Sequence, residues 1–294
     1  MQISWQGAYL RSGSAAGRSI ALCKLRASHE IYSRGMAPVH ILSNLLARSR
    51  SATAFPNALS AVLALAVVAS SWFFYVFPGV DLSVSRWFYD AAEGFVLANS
   101  LPLRALRSSA GWIMRGVVLL ALVQFVRHAS AGRMAGEGAR RWLWLLSCLV
   151  VGPGLLVNGL LKGHWGRPRP RATDLFGGEA PFQKVWVISD WCDSNCSFVS
   201  GEAATAAWLV AAALLAPRRI RTAVTVLAAI YAFAVSINRV AFGGHYLSDV
   251  VLAWLLCALV FIAISRIIHA TNVTSFESMA NGVMDAIMKN VNSR

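Results

Sequence analysis

Six apolar runs, at roughly 57–77, 111–127, 142–161, 201–217, 222–240 and 248–268, decide what this chain can become. About 20 apolar residues in a helix match the hydrocarbon thickness of a bilayer, and only helices and closed barrels satisfy their backbone groups there. Two of the runs, 111–127 and 201–217, are short for a span. With 57% hydrophobic and 14% charged residues, the chain is too apolar to hide its side chains in one soluble core. The expected fold is all-α, a polytopic membrane bundle of about six transmembrane helices. Its membrane domain covers 57–268. A basic segment, 1–56, precedes it and is expected to be partly disordered, with Met36 an alternative start. A tail, 269–294, follows, in which Phe276, Ala280, Val283, Ile287 and Val291 recur at the spacing of an amphipathic helix.

The net charge of +14 would suggest nucleic acid in a soluble protein, but here its distribution follows membrane topology. Residues 1–56 carry seven Lys/Arg against Glu30. The 127–141 connection holds Arg127, Arg133, Arg140 and Arg141 against Glu137, and the next short loop holds Arg218, Arg219 and Arg221. The stretches 78–110 and 162–202 balance, three basic against three acidic and five against five. The positive-inside rule puts both termini and the basic loops in the cytoplasm and the balanced stretches outside. Nucleic acid is not an expected partner. Cys148 and Cys257 fall inside spans. Cys192 and Cys196 lie in the outward loop "WCDSNCSFVSGE", where an oxidising compartment would favour a disulfide. They lack histidines at ligand spacing, so no zinc site is expected.

The polar residues gather at the outward ends of the runs. The third ends in "LLKGHWGRPRP", the fourth begins at "CSFVSGEAATA", the fifth ends in "SINRVAFGG" and the sixth opens with "HYLSDVV". Lys162, Arg167, Arg169, Arg239 and His245 can therefore meet at one membrane face. Ionisable groups at membrane depth are costly and mark paired or functional positions. Asp249 follows His245 by four residues, the spacing at which a helix would let it accept the imidazole Nδ1 proton and leave Nε2 bare. Taken alone, such a pair reads first as a structural tie at a helix start, since interior ion pairs are often merely structural. Several fixed cations at one point, however, call for an anion. Ser200 and Gly201 start a helix, whose free N–H groups favour an anion too. The set reads as a phosphate cradle with a histidine directed into it. Arg115 reads as snorkelling from the outer end of the second span, and Trp112, Trp142 and Trp144 as an interfacial belt. His29, His40 and His128 lie in cytoplasmic segments and take no role.

These residues resemble the type-2 phosphatidic acid phosphatase superfamily. Its signature has three parts: Lys, six residues, Arg-Pro; Pro-Ser-Gly-His; and Ser-Arg, five residues, His, three residues, Asp. The first is complete as Lys162, "GHWGRP", Arg169 and Pro170. The third has Arg239, His245 and Asp249 in place, with Asn238 for the serine. The second reads "VSGE", so Ser200 and Gly201 match while Val199 and Glu202 replace proline and histidine.

The resemblance implies a lipid-phosphate phosphatase of the bacterial inner membrane with its site on the periplasmic face, and a phosphohistidine intermediate. His245 would be the nucleophile and Asp249 its orienter. Lys162, Arg169, Arg239, Ser200 and Gly201 would hold the phosphoryl oxygens. Neither cofactor nor metal is implied. Glu202 would have to replace the family's acid, which needs a protonated carboxyl; His164 is the alternative acid. The loops look most like lipid A phosphatases, with undecaprenyl pyrophosphate an alternative substrate. A lipid phosphotransferase, or a lipid-phosphate-binding protein impaired by the loss of its acid, are the competing functions.

Overall fold

The protein is described by a computed structural model over residues 57–133 and 136–270. The expectations for the N-terminal segment and for the amphipathic tail beyond 270 lie outside these residues. Every named element is helical: α1 (Asn57–Val76), α2 (Gly79–Arg86), α3 (Leu101–Ser130), α4 (Glu137–His164), α5 (Gly201–Ala213), α6 (Arg221–Ala241) and α7 (Leu247–Ala270). Among the described residues the extended pairing is confined to isolated bridges at Asp90–Gly94 and Thr173–Ala180.

Five of these helices, α1, α3, α4, α6 and α7, are long and apolar enough to cross a membrane. Their outward faces carry exposed apolar side chains such as Leu65, Trp72, Leu119, Leu227 and Phe233. A soluble protein would bury these; hydrocarbon is their natural solvent. Two boundaries differ from the sequence reading. Helix α3 begins at Leu101, ten residues before the expected 111, because Pro102 suits a helix's first turn and the arginines that follow do not stop a helix. Arg115 therefore lies mid-helix, stacked over Trp112 at 4.7 Å, rather than at the helix end. The expected run 201–217 is helical only to Ala213. At about 1.5 Å per residue its 13 residues reach about 20 Å, too short to span alone.

Helix α5 instead forms the axis of the bundle. Its sequence, GEAATAAWLVAAA, combines strong helix formers with small side chains, so α6 and α7 approach closely and most of its residues are buried. Helix α7 touches α1, α4, α5 and α6. Two buried tryptophans tie this centre together. Trp208 donates to the Leu145 carbonyl at 2.8 Å, and Trp144 to the Phe261 carbonyl at 2.9 Å. Trp144 is thus an interhelical tie rather than a belt residue. Each bond satisfies an indole N–H that burial would otherwise leave costly.

Helix α4 has a π-helical middle, Val150–Leu161, with Pro153 inside it. Proline has no N–H to donate and crowds the preceding turn, so the wider winding relieves a clash that α-helix would impose. The Asn158 amide takes up the Pro153 carbonyl at 2.6 Å. This local rewinding sets the direction in which the end of α4 presents Asn158 and Lys162.

Candidate active site

The ends of α4, α5, α6 and α7 and the loop between α4 and α5 bring the polar residues to one end of the bundle. Lys162, at the end of α4, donates from Nζ to Asn195 Oδ1 at 3.1 Å. Arg169 places Nε and Nη2 on the backbone carbonyl of the same Asn195, at 3.1 and 2.7 Å. Asn195 sits inside the Cys192–Cys196 disulfide, so a covalent loop of five residues, both cysteines included, positions both cations. Gly201 opens α5 against this pair. A Cβ there would stand 2.6 Å from Asn158 Oδ1 and 3.4 Å from Lys162 Nζ. The glycine lets the helix N-terminus come that close. Ser200 is fully buried, and its Oγ caps α5 by accepting from the Ala203 N–H at 3.3 Å. Its hydroxyl therefore serves the helix first, which the expectation of a phosphate ligand did not include.

Arg239, at the end of α6, is 2% exposed, and its Nε lies 3.2 Å from Glu202 Oε2. The angle makes this an ion-pair contact without a hydrogen bond. Its Nη2 lies where a side chain on Gly244 would be, 2.5 Å from such a Cβ. The second glycine of "FGGH" thus leaves room for the guanidinium beside the histidine loop.

His245 is buried, and its Nδ1 lies 2.7 Å from the Ser197 carbonyl. A carbonyl can only accept, so Nδ1 carries the proton and Nε2 keeps its lone pair. Burial is the main force on this ring. With the charges of Arg239 and Lys162 it outweighs Asp249 and brings the imidazole down to about 4, so His245 is neutral at pH 7.

Asp249 does not make the expected hydrogen bond to Nδ1; its Oδ2 stands 3.8 Å away. The reason is local: α7 begins at Leu247, so His245 precedes the helix and the four-residue rule does not apply to it. Asp249 instead accepts from Ser197 Oγ, from the Tyr246 N–H at 2.9 Å and from Arg167 Nη1 at 2.6 Å. The Tyr246 bond is the reciprocal half of a helix cap. The Ser197 bond fixes the residue whose carbonyl orients His245. Asp249 acts on the histidine through Ser197.

Arg167 was expected among the converging cations. It is fully buried and bridges Asp249 to Asp81, whose Oδ2 it reaches at 2.9 Å, with further bonds to Ser248 Oγ and the Gln183 carbonyl. Its charge is spent on two buried carboxylates, and it braces α2 and the loop before α5 against the start of α7. His164 is exposed, and its Nδ1 turns back to the Leu160 carbonyl at 2.8 Å. Two residues along a helix from Lys162, it faces away from that side chain.

Glu202 lies between two guanidiniums. Arg107 of α3 meets both carboxylate oxygens, with Nη2 2.9 Å from Oε1 and Nε 3.1 Å from each oxygen, and Arg239 approaches from the other side. Burial alone would raise the carboxyl. The hydrogen bond from Arg107 and the charges of both arginines outweigh it and hold Glu202 below the usual carboxylate range. The protonated Glu202 required of a resting acid is not what this environment favours. Arg107, Asn158, Asn195, Ser197 and Asp81 all escaped the sequence reading; no spacing in the chain joins them to the signature residues.

The chain matches the PAP2 superfamily over residues 141–272, the segment that carries Lys162 through Asp249. It is 38% identical over 206 residues to a lipid A 4'-phosphatase of Rhizobium leguminosarum, covering 65% of this chain and 88% of that one. The chain belongs to the PAP2 superfamily. A lipid A 4'-phosphatase of Rhizobium etli is 38% identical over 65% of this chain and 80% of its own length. One of Francisella tularensis subsp. novicida is 33% identical over 193 residues, covering 65% and 87%. No solved structure gives a significant match. This PAP2 protein is a phosphatase, a phosphoric monoester hydrolase, and a bacterial multi-pass membrane protein.

Proposed function

We propose that this lipid phosphatase hydrolyses a phosphomonoester on a lipid A-type glycolipid, at the periplasmic face of the inner membrane, through a phosphohistidine on His245. The observation that carries the reading is the His245 ring itself, neutral, with Nδ1–H tied to the Ser197 carbonyl, Nε2 left as a lone pair, and the charges of Arg239 and Lys162 acting on the ring. An imidazole so arranged is a nucleophile. The charge balance of the loops supports the periplasmic face, and the relatives' names support the glycolipid.

In the first step Nε2 attacks phosphorus and the bond to the lipid oxygen breaks. Lys162, Arg169 and Arg239 stabilise the charge on the equatorial oxygens, with the first N–H groups of α5. Asp249 is a positioning residue that acts through Ser197. Glu202 is the resting counterion of Arg239. When the phosphate takes its place on Arg239, a second negative charge stands beside the carboxylate and raises its proton affinity. A phosphate bound as its monoanion brings one proton, which passes by way of Glu202 to the leaving lipid oxygen. Water then cleaves the phosphohistidine, restoring His245 and releasing inorganic phosphate.

Purified protein given a panel of lipid phosphates tests this. Phosphate release from the glycolipid substrate, abolished in a folded His245→Ala variant, is expected. Undiminished release by His245→Ala overturns the nucleophile. Release from undecaprenyl pyrophosphate alone overturns the substrate class, and transfer of the label to a second lipid in place of release overturns hydrolysis.

A further inference from the structure

A cleft of about 620 Å³ opens beside the active site, between α3 and the first turns of α5. Its α3 wall presents Arg104, Arg107, Ser108, Trp112 and Arg115, and its α5 wall Glu202 and Thr205. Arg104, Ser108, Trp112 and Arg115 follow one another at steps of four, four and three, and Arg107 lies three beyond Arg104, so they form one face of that helix. From Arg104 to Arg115 this face runs about 16 Å along the helix axis. The cleft lies within the size range of small-ligand sites, roughly 300–1,000 Å³.

Its charge is unbalanced. Glu202 is the one carboxylate in the cleft, and it is engaged by Arg107 and Arg239. Among the described residues neither Arg104 nor Arg115 has a carboxylate partner. Two of the three acids that balance 78–110 in sequence are used elsewhere: Asp81 is buried against Arg167, and Asp90 caps its own turn by accepting from the Ala92 and Glu93 N–H groups. Arg104 and Arg107 at the outward end of a span, with Arg115 further along the same face, also run against the positive-inside bias. Exposed arginines along a membrane helix are costly unless an anion meets them.

We propose that this cleft binds a second anionic group of the substrate, a phosphate carried on the same headgroup as the one hydrolysed at His245. The inference rests on the phosphatase reading and deepens it: Arg104 and Arg115 are the residues that select for the non-reacting phosphate. Arg107 joins the two sites, because it faces the cleft and holds Glu202 beside Arg239. A guanidinium at Arg104 and another at Arg115 give the second phosphate donors at both ends of the face, and the tails stay in the bilayer alongside α3.

The test compares a glycolipid carrying two phosphates with the same glycolipid lacking the non-reacting one, both with full-length protein in detergent. In the Arg104→Gln/Arg115→Gln double variant, KM for the two-phosphate lipid rises about tenfold or more, as loss of hydrogen bonds to a charged group implies. Its kinetics on the one-phosphate lipid stay as in the wild type. An equal change on both lipids, or none on either, overturns the proposal. Added phosphatidylglycerol supplies the alternative occupant: an arginine-dependent effect of it on one-phosphate turnover would assign the cleft to a separate lipid and overturn the same-molecule reading. Dissociation constants of both lipids, measured in the His245→Ala background with and without the two arginines, give the same comparison without turnover. If the wild type cleaves neither lipid, the phosphatase reading falls, and these constants still decide the cleft: a two-phosphate preference lost with the arginines upholds it, and no preference overturns it.

Discussion

Replacing Glu202 by glutamine separates its two assigned roles. The side chain is 32% exposed, with Arg239 Nε 3.2 Å from one oxygen and Arg107 bound to both. In a medium of effective dielectric about 20, a charge pair some 4 Å apart is worth about 4 kcal/mol before screening. A group one-third open to solvent keeps only a fraction of that, about 1 kcal/mol. Glutamine removes the competing charge from Arg239, so the substrate phosphate should bind tighter by that amount and KM should fall about fivefold. Glutamine cannot pass a proton to the leaving oxygen, and kcat should fall by about 10²–10⁴. Steady-state phosphate release from one lipid, with separate KM and kcat, reads both effects. An unchanged kcat refutes the proton-transfer role. An unchanged or raised KM refutes the competition for Arg239. Glu202→His, which can carry its own proton, should recover much of the lost kcat.

The pH profile of kcat/KM follows from the same assignments. His245 attacks only when neutral, so activity appears as pH rises through about 4; the substrate must arrive as its monoanion, so activity declines above the phosphate's second ionisation, about 6. An acidic limb at 6.5 contradicts the buried ring. Gly201→Ala would drive a Cβ to within 2.6 Å of Asn158 Oδ1 and displace Asn158 or Lys162, which should raise KM and cost about 1–3 kcal/mol of stability, measured as a lowered melting temperature in detergent. Arg167→Ala leaves Asp81 and Asp249 as uncompensated buried charges and should destabilise the fold by about 3–5 kcal/mol, seen in the same melt. A variant as stable as the wild type would refute the brace.

How far these elements were legible depends on what carried them. The apolar runs are one-dimensional signals, and four of them became spans close to their expected bounds. The run at 201–217 misled in length because an alanine-rich helix reads as apolar whether it faces lipid or, as α5 does, the centre of the bundle. Lys162, Arg169, Gly201, Arg239 and His245 were legible because spacing and placement at span ends coincide. The partner of His245 was not, since the four-residue rule presumes a helix that starts only at Leu247. Arg167 looked like any other cation of the cluster, and only its burial against Asp81, far off in sequence, separates it from Arg169. Arg107 carried no signal, because its role is set by how α3 packs against α5.

The central claim is that His245 Nε2 takes the phosphoryl group. Rapid-quench trapping with a glycolipid labelled in the reacting phosphate tests it directly. An acid-labile, base-stable phosphate on the peptide carrying His245 is expected, formed and lost at rates that support turnover, with neither label nor turnover in His245→Ala. Full turnover by that variant, or label arising on another residue, would contradict it.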